Sequence, residues 1–334
     1  MNLLELKDML CIDRLRVHDK LPTIYMPNEI FEDITNNVTG SSLFVSSVYA
    51  CYYLDTFLYR YAIYGKNELT LKVPIRKQLL GFSGKSTFLD PIIKKGGILN
   101  LMGYTKPDSN YPIQWYLNED RLVIFDYLKD RSIDEENNID YGYYYSEIVK
   151  NTPPRTTISY PIKAFDRLHV SSDGEESKWG TFDDISQTHG IEVETFLKCM
   201  SNKELGVEGF YLYSLIKHKY DFYKGYWNIS LEKLIEVSGM KPTRMKKVLH
   251  TLRQYEMVDV LPMPWVIDRP HNVSTKANGY RAYKAEFFSV TKKQVEKPIK
   301  INWATCQERY SYAIIEPQSE KVSFDEYEDL VLPF

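Results

Sequence analysis

No stretch of this sequence approaches the roughly 20 consecutive apolar residues that a membrane-crossing helix needs. The opening Met1-Asn-Leu-Leu-Glu-Leu-Lys-Asp also lacks the basic start and apolar core of an export signal. No membrane partner is expected, and the reading is cytoplasmic. Cysteine is sparse too: Cys11, Cys51, Cys199 and Cys306 are far apart and form no CxxC pair, which argues against a disulfide framework and a zinc ribbon. Buried thiols are expected instead. No HxH, paired acidic metal site or Ser-His-Asp arrangement points to a nuclease or hydrolase, so neither metal, cofactor nor catalytic residue is assigned.

What the chain does have is length, 334 residues with a hydrophobic fraction of 43%, enough for two or three domains with real cores. Its net charge of −3 conceals an asymmetry. Residues 241–300 hold thirteen cations against five acids (Glu256, Asp259, Asp268, Glu286 and Glu296), a balance of +8 that leaves −11 for the rest. A basic region on an otherwise acidic chain fits an electrostatic footprint for phosphate, although a solvated basic face has the same composition.

A loose internal repeat organises the chain. In its second copy, residues 204–223 place Leu205, Phe210, Leu212, Leu215 and Ile216 at near-helical spacing before the breaker Gly225. A short strand follows at 226–230, and Ser230 is positioned to cap a helix over 231–237. Ser238-Gly239-Met240 reads as a turn, and a third helix begins near Pro242 and runs to about Tyr255. Residues 257–261 and 279–288 then read as paired strands. The first copy follows the same grammar: an aromatic-rich helix over 49–64, a strand over 69–73, a helix over 75–80, a turn at 81–86, and a third helix around 90–95. Its hairpin is expected from 98–102 with 121–125. The order of helix, strand, helix, turn, helix and strand hairpin is that of a winged helix-turn-helix. The expected fold is therefore α+β, with two winged helix-turn-helix domains joined by a mixed linker region. The boundaries are 1–40 for an N-terminal extension, 41–130 for the first domain, 131–200 for the linker, 201–300 for the second domain and 301–334 for a segment with an acidic tail.

The helix from Pro242 carries the sharpest chemistry. Met245, Val248, Leu249 and Leu252 form one apolar stripe, and Thr243, Lys247, His250, Thr251 and Gln254 point the other way. Arg244 flanks that outer face on one side, with Lys246 and Arg253 on the other. Such a helix fits the major groove and offers donors to phosphates and base edges, with readout expected mainly from Lys241, Thr243, Arg244 and Lys247. Arg281 and Lys284 are candidate contacts from the strand hairpin. In the first copy only Lys85, Lys94 and Lys95 are comparable, and Asp90 opposes phosphate. Dimerisation and DNA contact therefore stand level for that domain.

Two enzyme motifs are weak. Gly81-Phe-Ser-Gly-Lys-Ser is too short for GxxxxGK[ST]. His250-Thr-Leu-Arg253 matches the HxxR of tyrosine recombinases, with Tyr280 and Tyr283 downstream, but Arg155 lacks the helical context of the upstream arginine. The protein is read as no enzyme, with recombinase chemistry the lesser alternative.

The acidic final residues end on Leu332-Pro333-Phe334 and resemble the partner-docking tail of bacterial single-stranded DNA-binding proteins, departing from it at Leu330-Val331. That resemblance implies a host replication protein as partner; a merely solvated tail is the alternative. The two repeats, with Gly206-Val-Glu-Gly-Phe-Tyr-Leu-Tyr-Ser-Leu-Ile-Lys-His-Lys and Leu231-Glu-Lys-Leu-Ile-Glu-Val-Ser-Gly-Met, resemble tandem winged-helix replication initiators of plasmids and phages of Gram-positive bacteria. The resemblance spans much of 45–290 as architecture and is specific around 204–258. It implies a homodimer on the repeats of an origin in double-stranded DNA. A prophage or plasmid transcriptional regulator is the alternative.

Overall fold

The computed structural model describes residues 1–15, 21–119, 123–131, 157–165, 168–170, 176–178, 185–270, 273–296 and 299–315. Helix α1 (Leu3–Met9) opens under a capping box, in which the Asn2 side chain accepts from the Glu5 N–H and the Glu5 carboxylate accepts from the Asn2 N–H. Strand β1 (Thr23–Pro27) pairs antiparallel with the distant β6 (Thr188–Glu192), Thr23 opposite Glu192. Helix α2 (Ile30–Asn37) buries Ile30, Phe31 and Ile34. Leu6, Leu10, Ile12, Ile24 and Ile191 are buried as well, so segments read from sequence as extension and linker contribute to the same core as the two repeats.

Helix α3 (Ser42–Arg60) is capped by the Ser41 hydroxyl and is buried around nearly its whole circumference. A helix apolar on all sides needs cover on all sides. More of that cover comes from its counterpart in the second repeat, α8 (Gly206–Tyr223), itself buried from Val207 to Ile216, than from any other single element. Aromatic rings fill the crossing: Tyr53 meets Phe210 edge-on with centroids 4.8 Å apart and stacks on Phe196 at 5.2 Å, while Tyr49 meets Tyr211 at 5.7 Å. Phe196 belongs to α7 (Val193–Met200), against which α1 packs.

The rest of the first repeat departs from its expected form in four places. Residues 68–71 form a single 3-10 turn instead of a strand. Asn67 closes it, its side chain accepting from the Leu69 N–H at 3.1 Å and its carbonyl from the Thr70 hydroxyl at 2.7 Å. Pro74 then starts α4 (Val73–Leu79). The third helix is only the short α5 (Asp90–Ile93). Residues 98–101 form helix α6 (Ile98–Leu101), braced by Asn100, which accepts from the Gly96 N–H at 2.8 Å and donates to the Thr105 carbonyl at 2.9 Å. Strand β2 (Thr105–Asp108) pairs with β5 (Ile158–Pro161). The hairpin is β3 (Pro112–Leu117) with β4 (Val123–Tyr127), its first strand starting at Pro112 and not within the expected 98–102.

The second repeat follows its expected order closely. After α8 come β7 (Trp227–Asn228), α9 (Leu231–Ser238), α10 (Pro242–Gln254), β8 (Val258–Leu261) and, after a long loop, β11 (Gly279–Ala282). The Ser230 hydroxyl accepts from the Lys233 N–H at 3.1 Å and caps α9; Gly239, at φ +61°, ends it. The strands form one antiparallel sheet in the order β8-β11-β7, with Val260, Tyr280 and Trp227 sharing its inner face. The loop between β8 and β11 carries β9 (Trp265–Val266) and β10 (Ser274–Thr275). These pair with β12 (Lys300–Ile301) and β13 (Ile314–Ile315), which flank α11 (Trp303–Arg309). The molecule is thus mixed α+β with several small sheets. No helix among the described residues is long and apolar enough to cross a membrane.

Candidate nucleic-acid interface

Helix α10 divides as its sequence dictates. Met245, Val248, Leu249 and Leu252 are buried, and Lys241, Thr243, Lys246, Lys247 and His250 are exposed. The turn before it is fastened from three sides. The Lys241 N–H donates to the Ser42 hydroxyl at 2.8 Å, Tyr211 donates to the Ser238 carbonyl at 3.0 Å, and Thr35 donates to the Val237 carbonyl at 3.2 Å. Val45 and Thr35 lie beside Gly239. Elements of the first repeat and of the N-terminal segment therefore set where α10 begins.

One residue assigned to the outer face belongs inside: Thr251 is only 7% exposed, and its hydroxyl donates to the Lys247 carbonyl at 3.1 Å. At 100° per residue it sits at the margin of the apolar stripe, where a small β-branched side chain is readily covered. Arg244 occupies the expected flank, but its Nε donates to the buried Glu208 carboxylate at 2.8 Å and a terminal nitrogen donates to the other carboxylate oxygen. Glu208 raises the Arg244 pKa above its ordinary value. Arg253 is half-buried, and desolvation pulls its pKa below the usual range.

On the outer face of the sheet, Arg281 lies over the rings of Tyr283 and Tyr226, 4.5 and 5.3 Å from their centroids, and 3.4 Å from Asp259. Lys284 is exposed at the end of that strand. In the first repeat Lys85 and Lys95 are exposed, while Lys94 pairs with Asp90 at 2.8 Å. Lys77 reaches the same carboxylate at 2.5 Å, and the two lysines hold Asp90 below the ordinary carboxylate range. The acid there pairs with Lys94 at the end of its own helix and with Lys77 of α4. The candidate partner residues Leu332, Pro333 and Phe334 lie outside the described residues.

Sequence reasoning missed two acids at the start of α8. Glu208 holds Arg244, and Glu204 accepts from Lys292 at 2.6 Å and from the Tyr255 hydroxyl at 3.1 Å. Their i, i+4 spacing was visible, but their partners lie 36 to 88 residues away. Among the described residues no group of three or more His, Cys, Asp or Glu side chains is placed to hold a metal ion. Compared with protein-family models, curated proteins and solved structures, the chain matches none.

Proposed function

We propose that this protein binds double-stranded DNA sequence-specifically, with α10 in the major groove. The observation that carries the reading is the exposed face of α10, where Lys241, Thr243, Lys246, Lys247 and His250 stand together without an acid while the opposite face is buried. The surrounding order supports it. A helix, a strand, two helices joined by a glycine turn, and two further strands in the sheet order β8-β11-β7 follow in the order expected of a winged helix-turn-helix, with the loop between β8 and β11 where a wing is expected. Burial of Tyr280 against Trp227 favours a structural role for that tyrosine over a recombinase nucleophile.

The role we favour is replication initiation, in which a homodimer binds origin repeats and recruits host replication proteins, in line with the resemblance of residues 204–258 to plasmid and phage initiators. The test is to map the fragments of the native replicon that the purified protein retains. Retention of a repeat-bearing origin supports initiation; retention of a promoter alone supports transcriptional regulation; retention of no duplex refutes DNA binding.

A further inference from the structure

Glu208 is 3% exposed, in the first turn of α8, and carries a carboxylate into a place where a charge needs a partner. Arg244 supplies it in fork geometry, Nε to one carboxylate oxygen and a terminal nitrogen to the other. The Arg244 side chain itself is 42% exposed against 4% for Glu208, so the pair runs from the core to the surface of the α10 face. A guanidinium has five N–H donors in a rigid plane. Two are held from below, and the remaining three are fixed in direction beside the exposed Thr243 and Lys247.

Two physical consequences follow from that pairing. A carboxylate this close cancels most of the arginine's long-range attraction for phosphate. It also removes the torsional freedom that would let a flexible cation reach whichever phosphate oxygen is nearest. What remains is a short-range, directional donor set, the kind that discriminates between base edges. Resting on the DNA-binding reading above, we propose that Glu208 is a specificity-determining positioning residue. It withholds the Arg244 charge from the phosphate backbone and presents its free N–H groups in one orientation to the duplex.

The sign of the effect separates this role from a simple brace between α8 and α10. Replacing Glu208 by its isosteric amide removes the buried charge and releases an arginine that water already reaches, so the fold is expected to persist. The released cation should then tighten binding to any duplex and weaken the preference for one.

The experiment uses the full chain and a random-sequence duplex library. Wild type selects its preferred duplexes, and affinity for the best selected duplex and for the unselected pool is then measured across salt concentrations. Glu208→Gln is expected to bind the unselected pool severalfold more tightly, with a log–log salt slope steeper by about 0.9 for one added phosphate contact. Its selected-over-pool ratio is expected to fall about tenfold, with an unchanged thermal midpoint. Arg244→Lys, which keeps a cation over Glu208 without the fork, is expected to lose discrimination without that steepening and serves if Glu208→Gln does not fold. An unchanged ratio in Glu208→Gln, or in Arg244→Lys if the first variant does not fold, reduces the pair to a brace and overturns the proposal. Failure of wild type to retain or enrich any duplex overturns the DNA-binding reading itself, and this inference with it.

Discussion

The backbone N–H of Lys241 donates to the hydroxyl of Ser42 at 2.8 Å, across 199 residues of sequence. The first residue of α3 thereby fixes the entry to α10, and the Lys241 side chain projects from that fixed point into solvent. Ser42→Ala removes the acceptor while leaving the helix cap at Ser41 intact. The expected cost is about 1 kcal/mol of unfolding free energy, the net value of one such hydrogen bond, read from the shift of a urea denaturation midpoint.

Gly239 tests the same junction through the backbone. Its φ of +61° is left-handed, but a Cβ built there would meet Val45 and Thr35 only at ordinary contact distances, 3.6 and 3.8 Å. The penalty for Gly239→Ala is therefore conformational and not steric, about 1–2 kcal/mol. A loss well above that in the same denaturation assay would mean that the turn tolerates no displacement toward α2 and α3.

Arg244→Ala differs sharply from Glu208→Gln because it leaves a buried carboxylate without its cation. Breaking a buried pair costs roughly 3–5 kcal/mol, and the low end is expected here because truncating a side chain that is already 42% exposed lets water approach Glu208. The thermal midpoint of Arg244→Ala should drop by several degrees, and the double variant Glu208→Gln, Arg244→Ala should recover most of that drop.

A buried histidine pair gives the stability a pH dependence. His189 lies between the Tyr49 hydroxyl, 2.9 Å from its Nε2, and the Asn28 side chain, 3.2 Å from its Nδ1, while Phe31 stacks on His218. Desolvation holds His189 well below the usual imidazole value and brings His218 down to about 4. The unfolded chain thus takes up protons that the native state refuses. Stability is full above pH 6.5, declines as pH falls, and stops declining through His218 near pH 4. That one residue contributes at most roughly 3 kcal/mol. Urea midpoints measured from pH 7 to 4 should fall, and His218→Gln should flatten the curve; an unchanged slope in the variant would assign the effect to other groups.

The second repeat was legible because each of its boundaries is written in local chemistry: Ser230 as a cap, Gly239 as a left-handed stop, Pro242 in a first helical turn, and an apolar stripe at Met245, Val248, Leu249 and Leu252. The first repeat was less legible because local patterns there have two solutions. Leu69-Thr-Leu-Lys-Val alternates like a strand, and Asn67 decides for a turn. Ile98-Leu-Asn-Leu-Met is equally strand-like until Asn100 braces it as a helix. Helices α3 and α8 were readable as helices, but their mutual packing depends on α3 and the first half of α8 being buried on nearly all sides, a property that reveals a need for cover without naming what provides it. Within the candidate interface the outward lysines were legible from period alone. The inward turn of Thr251 and the capture of Arg244 by Glu208 were not, since both are settled by neighbours remote in sequence or by small differences at the edge of a stripe.

The central claim, that α10 is the surface that meets DNA, is tested most directly by the salt dependence of duplex binding in wild type, Lys246→Ala and Lys247→Ala on a footprinted fragment of the native replicon. Each lysine that contacts a phosphate should lower affinity on removal and reduce the log–log salt slope by about 0.9, with the thermal midpoint unchanged because both side chains are exposed. Retention of wild-type affinity and slope by both variants would contradict the assignment.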